Sequence, residues 1–219
     1  TFYDPFMSGA EMCVEQIVNR LGRKDSHAFT IITARLSREL PRVDNRGRYV
    51  IIRVGLGFAC DKWLYPLIAP LKVVSLKPDI IHAVMESYAA IALWFVGILS
   101  KQSRKILTLQ SGDLDEKAAQ GVIPAWLWKK IHTAPNRVTA ISHFLAARAQ
   151  ELGARNTCII PNGVEYTKLD YIKSQVKEKK TSMVAAVARL SPEKGVTDLV
   201  HAFAEVAHMV PEATLELVG

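Results

Sequence analysis

Short apolar runs alternate with segments of helical periodicity along most of the chain, and this alternation predicts the fold. The predicted strands are 28–34, 49–54, 80–83, 105–110, 138–141, 157–161 and 184–188. Helices are predicted between them at 11–21, 62–76, 87–100, 124–133 and 142–152, and a last one begins at Val196. Most of the strands are continuously apolar, which is typical of parallel strands covered by helices on both faces. The pattern therefore predicts an α/β fold with a doubly wound parallel sheet.

The segments between these elements indicate the domain organisation. The Arg-, Asn- and Gly-rich segment after the first strand is predicted as a loop, and Pro66 and Pro70 are expected to interrupt their helix. We expect a further strand before the helix that begins at Glu11. The Lys-rich segment 165–181 is the best candidate for a linker. We therefore expect one domain at 1–168 and the beginning of a second domain at 181–219.

Composition narrows the class of protein only in part. The chain has 219 residues, of which 49% are apolar and 22% charged, as in an ordinary globular protein. Its net charge of +7 is compatible with nucleic acid, a membrane surface or anionic small ligands. Cys13, Cys60 and Cys158 are odd in number, far apart and without histidines at metal spacing, so they predict neither a disulfide framework nor a zinc site. A reduced, cytoplasmic compartment fits this usage best.

Candidate binding residues follow the predicted strands, because ligands of open α/β sheets bind at the carboxyl ends of the strands. After the strand at 184–188 come Arg189, a Ser-Pro-Glu-Lys-Gly turn and a helix. Arg189 and Lys194 place two cations beside the positive end of a helix dipole, a combination suited to a diphosphate. The other candidates at strand ends are Ser8, Gly9, His82, Gln110, Ser111, Gly112, Asp113, Ser142, Asn162 and Gly163.

Five motifs at these positions resemble those of family-4 glycosyltransferases of the GT-B fold. They are Ser8-Gly-Ala-Glu11 in the place of a Gly-Gly-Ala-Glu loop, Pro78-Asp-Ile-Ile-His82, Thr139-Ala-Ile-Ser142, Ile160-Pro-Asn-Gly-Val164 and Ala188-Arg-Leu-Ser-Pro-Glu-Lys-Gly195. The last two are fairly specific, and the five occur in consistent order over nearly the whole chain. The resemblance implies two Rossmann-like domains that face a cleft, the first nearly complete and the second only begun.

The resemblance also implies a function. Members of the family move a sugar, with retention of its anomeric configuration, from a nucleotide-diphosphate-sugar to a hydroxyl acceptor, and many need neither a metal nor another cofactor. By that analogy Arg189 and Lys194 hold the diphosphate as catalytic residues, because preorganised cations stabilise the charge that develops on the leaving oxygens. The remaining donor-side positions are Gly9, Ser142, Asn162 and Gly163, and the acceptor-side positions are His82, Gln110, Ser111, Gly112 and Asp113.

Two departures from the family pattern qualify this assignment. Relatives commonly carry a His-Gly pair where this chain has Gln110 and Ser111, which are poor proton acceptors and better suited to hydrogen bonding with a hydroxyl group. The Glu-x7-Glu segment that contacts the donor in the family would lie beyond Gly219.

Structural alternatives exist for the same residues. Arg189 and Lys194 also fit a solvated surface turn, and His82 fits a hydrogen bond at the end of a strand. Asn162 and Gly163 fit a turn with positive φ, and Ser142 fits a helix N-cap. An aromatic and basic cluster could contact a membrane, although a partly buried helix with a basic outer face explains it better; its members are Trp126, Trp128, Lys129 and Lys130.

Other functions remain open at the level of sequence. A sugar phosphorylase or a nucleotide-sugar epimerase would use the same fold. A nucleic-acid-binding protein is disfavoured because the basic residues are spread along the chain and no known binding motif occurs. The chain could also be a fragment without activity of its own. The expected partners are therefore a nucleotide-sugar and a hydroxyl acceptor, in the cytoplasm or at the inner face of its membrane.

Overall fold

A computed structural model describes residues 2–22, 27–110, 124–175 and 182–219. The chain divides into two compact units, Thr1–Gly163 and Val164–Gly219. The division falls beside the segment 165–181 that the sequence predicts as a linker.

The first unit contains two β-sheets. In one, the order is β1 (Phe29–Ala34), β3 (Tyr49–Val54) and β2 (Val43–Asn45), with β1 parallel and β2 antiparallel to β3. The other is wholly parallel, with β4 (Ile80–Val84), β5 (Arg104–Leu109), β6 (Arg137–Ala140) and β7 (Thr157–Ile159) in sequence order. The four strands β4 to β7 therefore end at the same edge of their sheet.

Five helices of the described part of the first unit accompany these strands: α1 (Gly9–Leu21), α2 (Asp61–Leu76), α3 (Tyr88–Leu99), α4 (Ala125–Thr133) and α5 (His143–Glu151). One hydrophobic core joins both sheets, from Ala34 and Val54 to Leu107 and Val138. Helices α2 and α3 contribute Ala69 and several residues of 89–96 to it. A second, smaller cluster packs Val18 of α1 against Tyr49 and Ile51 of β3. The α/β class predicted from the apolar runs is confirmed.

Three local predictions are wrong. The segment predicted as a loop after β1 contains the edge strand β2, because Val43–Asn45 pairs with Val50–Ile52. Pro66 and Pro70 do not interrupt α2, which is continuous from Asp61 to Leu76 with both prolines buried. Helix α1 begins at Gly9, two residues before the predicted start, because the carboxylate of Glu11 accepts hydrogen bonds from the N–H group (3.0 Å) and the hydroxyl group of Ser8.

The second unit is a β-α-β arrangement preceded by a helix. Helix α6 (Tyr166–Gln175) lies inside the segment predicted as a linker. Strand β8 (Met183–Val187) leads through a 3₁₀ turn, Pro192–Lys194, into α7 (Val196–Met209), and β9 (Thr214–Val218) then pairs in parallel with β8. This order of elements agrees with the predicted start of a second Rossmann-like domain.

The loop that joins β3 to α2 is held by one buried carboxylate. Asp61, only 1% exposed, accepts hydrogen bonds through Oδ2 from the N–H groups of Gly57 (2.6 Å) and Phe58 (3.2 Å). Gly55 passes beside the same carboxylate with φ of +120°, where a Cβ atom would collide with it. The loop therefore requires both the carboxylate of Asp61 and the absence of a side chain at Gly55.

Replacement of Asp61 by alanine should destabilise the first unit by about 2 kcal/mol, because the buried N–H group of Gly57 and the partly buried N–H group of Phe58 would lose their charged acceptor. Urea unfolding followed by circular dichroism measures this change. Asp170→Ala is the matched control, since Asp170 is exposed in α6, and its effect should stay within about 0.5 kcal/mol. Equal unfolding midpoints for the Asp61→Ala variant and the unmodified chain would contradict the assignment.

Candidate active site

Side chains from three elements of the first unit meet beyond the carboxyl end of the parallel sheet. Gln110 directly follows β5, Asn162 lies after β7, and Cys13 belongs to α1. Gln110 Nε2 donates to Asn162 Oδ1 (3.1 Å), and Asn162 Nδ2 donates back to Gln110 Oε1 (2.9 Å). The thiol of Cys13 donates to the same Asn162 Oδ1 (3.3 Å). We call Cys13, Gln110 and Asn162 the amide cluster.

The amide cluster can bind further polar groups. Each primary amide has two N–H donors, and the reciprocal pair uses only one donor of Gln110 and one of Asn162. Asn162 is exposed, and Gln110 is partly exposed. The cluster therefore presents fixed, uncharged donors at a sheet edge, which suits the recognition of hydroxyl groups.

Gly9 is the first residue of α1 and lies one helical turn before Cys13, on the same face of the helix. No atom lies within 4 Å of the position that a Cβ atom of Gly9 would occupy. The predicted role of Gly9, in which a ligand approaches the backbone closely, has the space it needs. Its position differs from the prediction, because capping by Ser8 and Glu11 makes Gly9 part of the helix rather than of a preceding loop.

His82 belongs to β4, in agreement with the predicted strand 80–83, and is not one of the residues that follow a strand. It lies within β4, two residues before the end of the strand. Its Nε2 is 2.6 Å from Thr108 Oγ1, which in turn is 2.6 Å from Thr139 Oγ1. These contacts connect β4, β5 and β6 across one face of the sheet. The alternative interpretation of His82 as a structural hydrogen-bonding residue describes this geometry better than a role at the strand ends.

The environment of His82 also favours its neutral form. Although the side chain of His82 is exposed to solvent on one side of the sheet, the protein atoms packed around the ring lower the pKa of His82 by desolvation. A neutral imidazole can share one proton with the hydroxyl group of Thr108. The pair therefore forms a polar connection inside the sheet rather than a cationic site.

Among the remaining predicted residues of the first unit, the structure agrees with one structural interpretation, disagrees with another and does not describe three residues. Ser142 is the N-cap of α5, as its structural interpretation predicts, and its Oγ accepts a hydrogen bond from the N–H group of Leu145 (3.3 Å). Asn162 and Gly163 do not form the predicted turn with positive φ, because neither has a positive φ. Ser111, Gly112 and Asp113 lie outside the described residues.

The predicted aromatic and basic cluster of α4 is divided between core and surface. Trp128 is only 6% exposed, whereas Trp126 is 60% exposed and packs edge-on against Trp94 at 5.9 Å between ring centroids. Lys129 and Lys130 are exposed. A partly buried helix with a basic outer face, the favoured interpretation of this segment, is confirmed.

In the second unit, Arg189 and Lys194 lie in the connection between β8 and α7. The main chain there is fixed by hydrogen bonds from Ser191 N–H to Arg189 O (2.9 Å) and from Lys194 N–H to Ser191 O (3.0 Å). Gly195 closes the turn with φ of +67° and precedes the first residue of α7. We call residues 189–195 the basic turn.

Both cations of the basic turn are exposed and accessible to a ligand. Within the described residues, neither Arg189 nor Lys194 has an ion-pair partner, and no side chain caps the first N–H groups of α7. Asp198 lies in the first turn of α7 and opposes an anion there. Glu193 adds a second acidic residue to the basic turn, so its two cations are matched in number by Glu193 and Asp198. The groups available to a phosphate are Arg189, Lys194 and the uncapped N–H groups at the start of α7.

Three contact residues were not identified from sequence, namely Cys13, Thr108 and Thr139. Cys13 follows Gly9 by four residues, so the helical period indicated that both share a face. Thr108 and Thr139 are the uncharged polar residues of their strands, and parallel pairing places them opposite each other. Only the three-dimensional register shows that His82 reaches Thr108.

Comparison with protein families gives one match over most of the chain. The sequence profile of glycosyltransferase family 4 matches residues 7–168. The chain belongs to glycosyltransferase family 4. No curated protein gives a significant match. The five motifs noted in the sequence thus identify the family correctly, and most of them fall within the matched range.

Solved structures of a sucrose-phosphate synthase share the fold of this family-4 chain. The enzyme from Thermosynechococcus elongatus superimposes with a TM-score of 0.74 at 17% identity, over 97% of this chain and 57% of that one. A second structure of the same enzyme gives a TM-score of 0.52 at 14% identity, over 76% of this chain and 93% of that one. The predicted GT-B type of α/β fold is confirmed. The chain spans only 57% of the length of the first enzyme.

Among the described residues, no three side chains of His, Cys, Asp or Glu are grouped as ligands for a metal ion. None of the helices that the structure describes is long and apolar enough to cross a membrane.

The lowered pKa of His82 predicts how stability depends on pH. The ring is neutral more readily in the folded chain than in the unfolded chain, where it titrates near 6.5. Below that pH the unfolded chain binds more protons, so stability falls as the pH falls. Replacement by glutamine removes this contribution. Urea unfolding at about pH 7 and about pH 5 should show a smaller loss of stability for His82→Gln than for the unmodified chain. Equal losses would show that His82 does not titrate abnormally.

Proposed function

We propose that the protein is a retaining glycosyltransferase that moves a sugar from a nucleotide-diphosphate-sugar to a hydroxyl acceptor. The observation that carries the proposal is the basic turn, in which Arg189 and Lys194 follow the end of a parallel strand and precede a helix. Membership in glycosyltransferase family 4 supports the reaction class. The structural likeness to sucrose-phosphate synthase supports the fold on which this chemistry would occur.

The basic turn would act on the leaving group. When the bond between the anomeric carbon and the diphosphate breaks, negative charge accumulates on the phosphate oxygens. Arg189 can grip two oxygens with its planar guanidinium group, and Lys194 adds a second charge that needs no proton transfer. Because hydrogen bonds of the turn fix the backbone that carries these cations, the cations would stabilise the transition state more than the bound substrate. Two cations can supply the neutralisation for which other transferases use a metal ion, so we propose a reaction without metal or other cofactor.

The amide cluster would act on the hydroxyl groups of a substrate. Gln110 and Asn162 hold each other in fixed orientations and keep one N–H donor each for a ligand. Uncharged donors in a fixed arrangement distinguish hydroxyl positions without attracting unrelated ions. We place Gln110 on the acceptor side, with Ser111, Gly112 and Asp113 following it in the chain, and we place Asn162, Gly163, Ser142 and Gly9 on the donor side.

We propose the cytoplasm as the compartment of the protein, on the evidence of its cysteines. Cys13, Cys60 and Cys158 are all free thiols in the structure. Free thiols, including one exposed at Cys60, fit a reduced cytoplasm.

Replacement of Arg189 by alanine should lower turnover of the full-length protein by roughly a hundredfold or more, and Lys194→Ala should act in the same direction, because each removes charge stabilisation of the leaving diphosphate. The turnover of Arg189→Lys should lie between that of the unmodified protein and that of Arg189→Ala, because lysine keeps the charge but lacks the planar, two-pronged guanidinium group. Turnover and nucleoside-diphosphate affinity are measured over a panel of nucleotide-sugars, with and without a chelator.

Lys173→Ala is the matched control, because Lys173 is an exposed cation of α6 in the same unit. It should leave turnover and affinity unchanged. Unchanged kinetics in both Arg189→Ala and Lys194→Ala would contradict the proposed role of the basic turn, and loss of activity on addition of the chelator would contradict metal independence.

Replacement of Gln110 by alanine should raise KM for the acceptor by about three- to tenfold, the effect expected from loss of one neutral hydrogen bond. The affinity for the nucleoside diphosphate should change less. Gln102→Ala is the control, because Gln102 is an exposed glutamine elsewhere in the first unit. If Gln110→Ala affects only the nucleoside diphosphate and leaves acceptor KM unchanged, Gln110 belongs to the donor side.

A further inference from the structure

The outer edge of β2 carries backbone groups that no described strand pairs with. β2 is the last strand of its sheet, with β3 on one side only. The carbonyl group of Arg42 accepts a hydrogen bond from β3 (2.8 Å), and the N–H group of Arg46 donates one to β3 (3.0 Å). Antiparallel strands alternate, so the backbone groups of Val43 and Asn45 point away from β3. Within the described ranges, no other residue hydrogen-bonds to these outward groups.

An apolar groove lies beside this edge. It is open, has a volume of about 490 Å³ and is lined by Val43 together with Ile52, Ile68 and Leu71. Val43 is 61% exposed, and Asn45 faces the same side of the sheet because it lies two positions further along the strand. If another strand were added at the edge, its side chains beside Val43 would contact the apolar walls of the groove.

The charge at this edge is mainly positive. The segment 35–48 has five arginines against two acidic residues, Glu39 and Asp44. Asp44 is already paired with Arg46 (2.8 Å) and lies 3.7 Å from the buried guanidinium group of Arg53. Arg42 is exposed and has no ion-pair partner in the part of the chain that the structure describes. An acidic strand would therefore meet attractive charges here.

We propose that the outer edge of β2 binds an extended acidic segment of a partner protein as an added antiparallel strand. Such strands gain affinity from backbone hydrogen bonds and specificity from alternate side chains. Acidic side chains of the partner would lie opposite Arg42 and Arg46, where opposite charges on adjacent strands attract. The apolar side chains between them would enter the groove. The inference does not depend on the proposed glycosyl transfer.

A second copy of the chain fits this edge less well. Antiparallel pairing that uses both Val43 and Asn45 would place Arg42 opposite Arg46 and Asp44 opposite Asp44 of the other copy. Like charges that lie directly opposite each other are destabilising. A charged edge strand of only three residues is typical of protection against self-pairing, and this protection does not act against an acidic partner.

The test is fluorescence anisotropy of a labelled probe peptide, Glu-Val-Thr-Val-Glu, titrated with the full-length protein. Its glutamates match the two arginines of β2, and its valines match the two outward residues. The control peptide has both valines N-methylated, so it keeps every side chain but loses the N–H groups that would bond to β2. The control peptide should bind about tenfold more weakly or less.

Two variants separate the backbone from the charge. Val43→Pro removes an outward N–H group and should weaken binding by about fivefold, and it should retain the fold because proline is tolerated where the N–H group of an edge strand faces solvent. Arg42→Glu should weaken binding of the probe and strengthen binding of Lys-Val-Thr-Val-Lys. Arg137→Glu is the control, since Arg137 is exposed at the start of β6, and it should bind the probe as the unmodified protein does. Thermal unfolding and near-ultraviolet circular dichroism establish that each variant is folded.

Four results would overturn the proposal. One is a probe that does not bind at about 1 mM protein. Another is equal affinity for the probe and its N-methylated form, and a third is unchanged binding in both Val43→Pro and Arg42→Glu. The fourth is a protein that ignores the probe but self-associates in sedimentation velocity, with association lost in Val43→Pro. That result would make the edge of β2 an interface between copies.

Discussion

The parallel pairing of β4, β5, β6 and β7 is the constraint on which the candidate site of the first unit depends. Parallel strands in sequence order all end at one edge, so the residues that follow β5, β6 and β7 become neighbours although they are far apart in sequence. Leu107, Leu109 and Ala140 are almost completely buried at this end of the sheet. A shift in the register of one strand would expose these side chains and would also separate Gln110 from Asn162.

Helix α1 adds a second requirement, since the amide cluster includes Cys13 as well as the two amides. The position of Cys13 follows from the start of the helix at Ser8 and Glu11, whose hydrogen bonds fix the first turn. Val18 on the same helix packs into the small core beside β3. Capping and packing therefore hold both ends of α1, and the contact from Cys13 to Asn162 connects the helix to the edge of the parallel sheet.

The sequence predicts the features that local signals determine, and it predicts poorly the contacts between residues that are far apart in the chain. Periodicity predicts the strand beside Gln110, and capping preferences predict the N-cap at Ser142. The contact between Cys13 and Asn162 does not follow from the sequence, because 149 positions separate the two residues. The contact between His82 and Thr108 does not follow from the sequence either, because it depends on the register of β4 against β5. The exposure of α2 was also unpredictable, since a helix that is apolar on all sides usually indicates burial.

The two candidate sites differ in charge, because the amide cluster is uncharged and the basic turn carries two cations. The amide cluster offers donors and acceptors but no group that accepts a proton at neutral pH, because amides do not titrate and the thiol of Cys13 already donates to Asn162. His82 is engaged with Thr108 inside the sheet. In the proposed reaction, in which a hydroxyl acceptor attacks the sugar, the proton of that hydroxyl group would pass to the departing diphosphate or to a group outside these two sites. The first route fits the proposal best, because cations that hold the diphosphate at the basic turn would keep its oxygens in place to accept that proton.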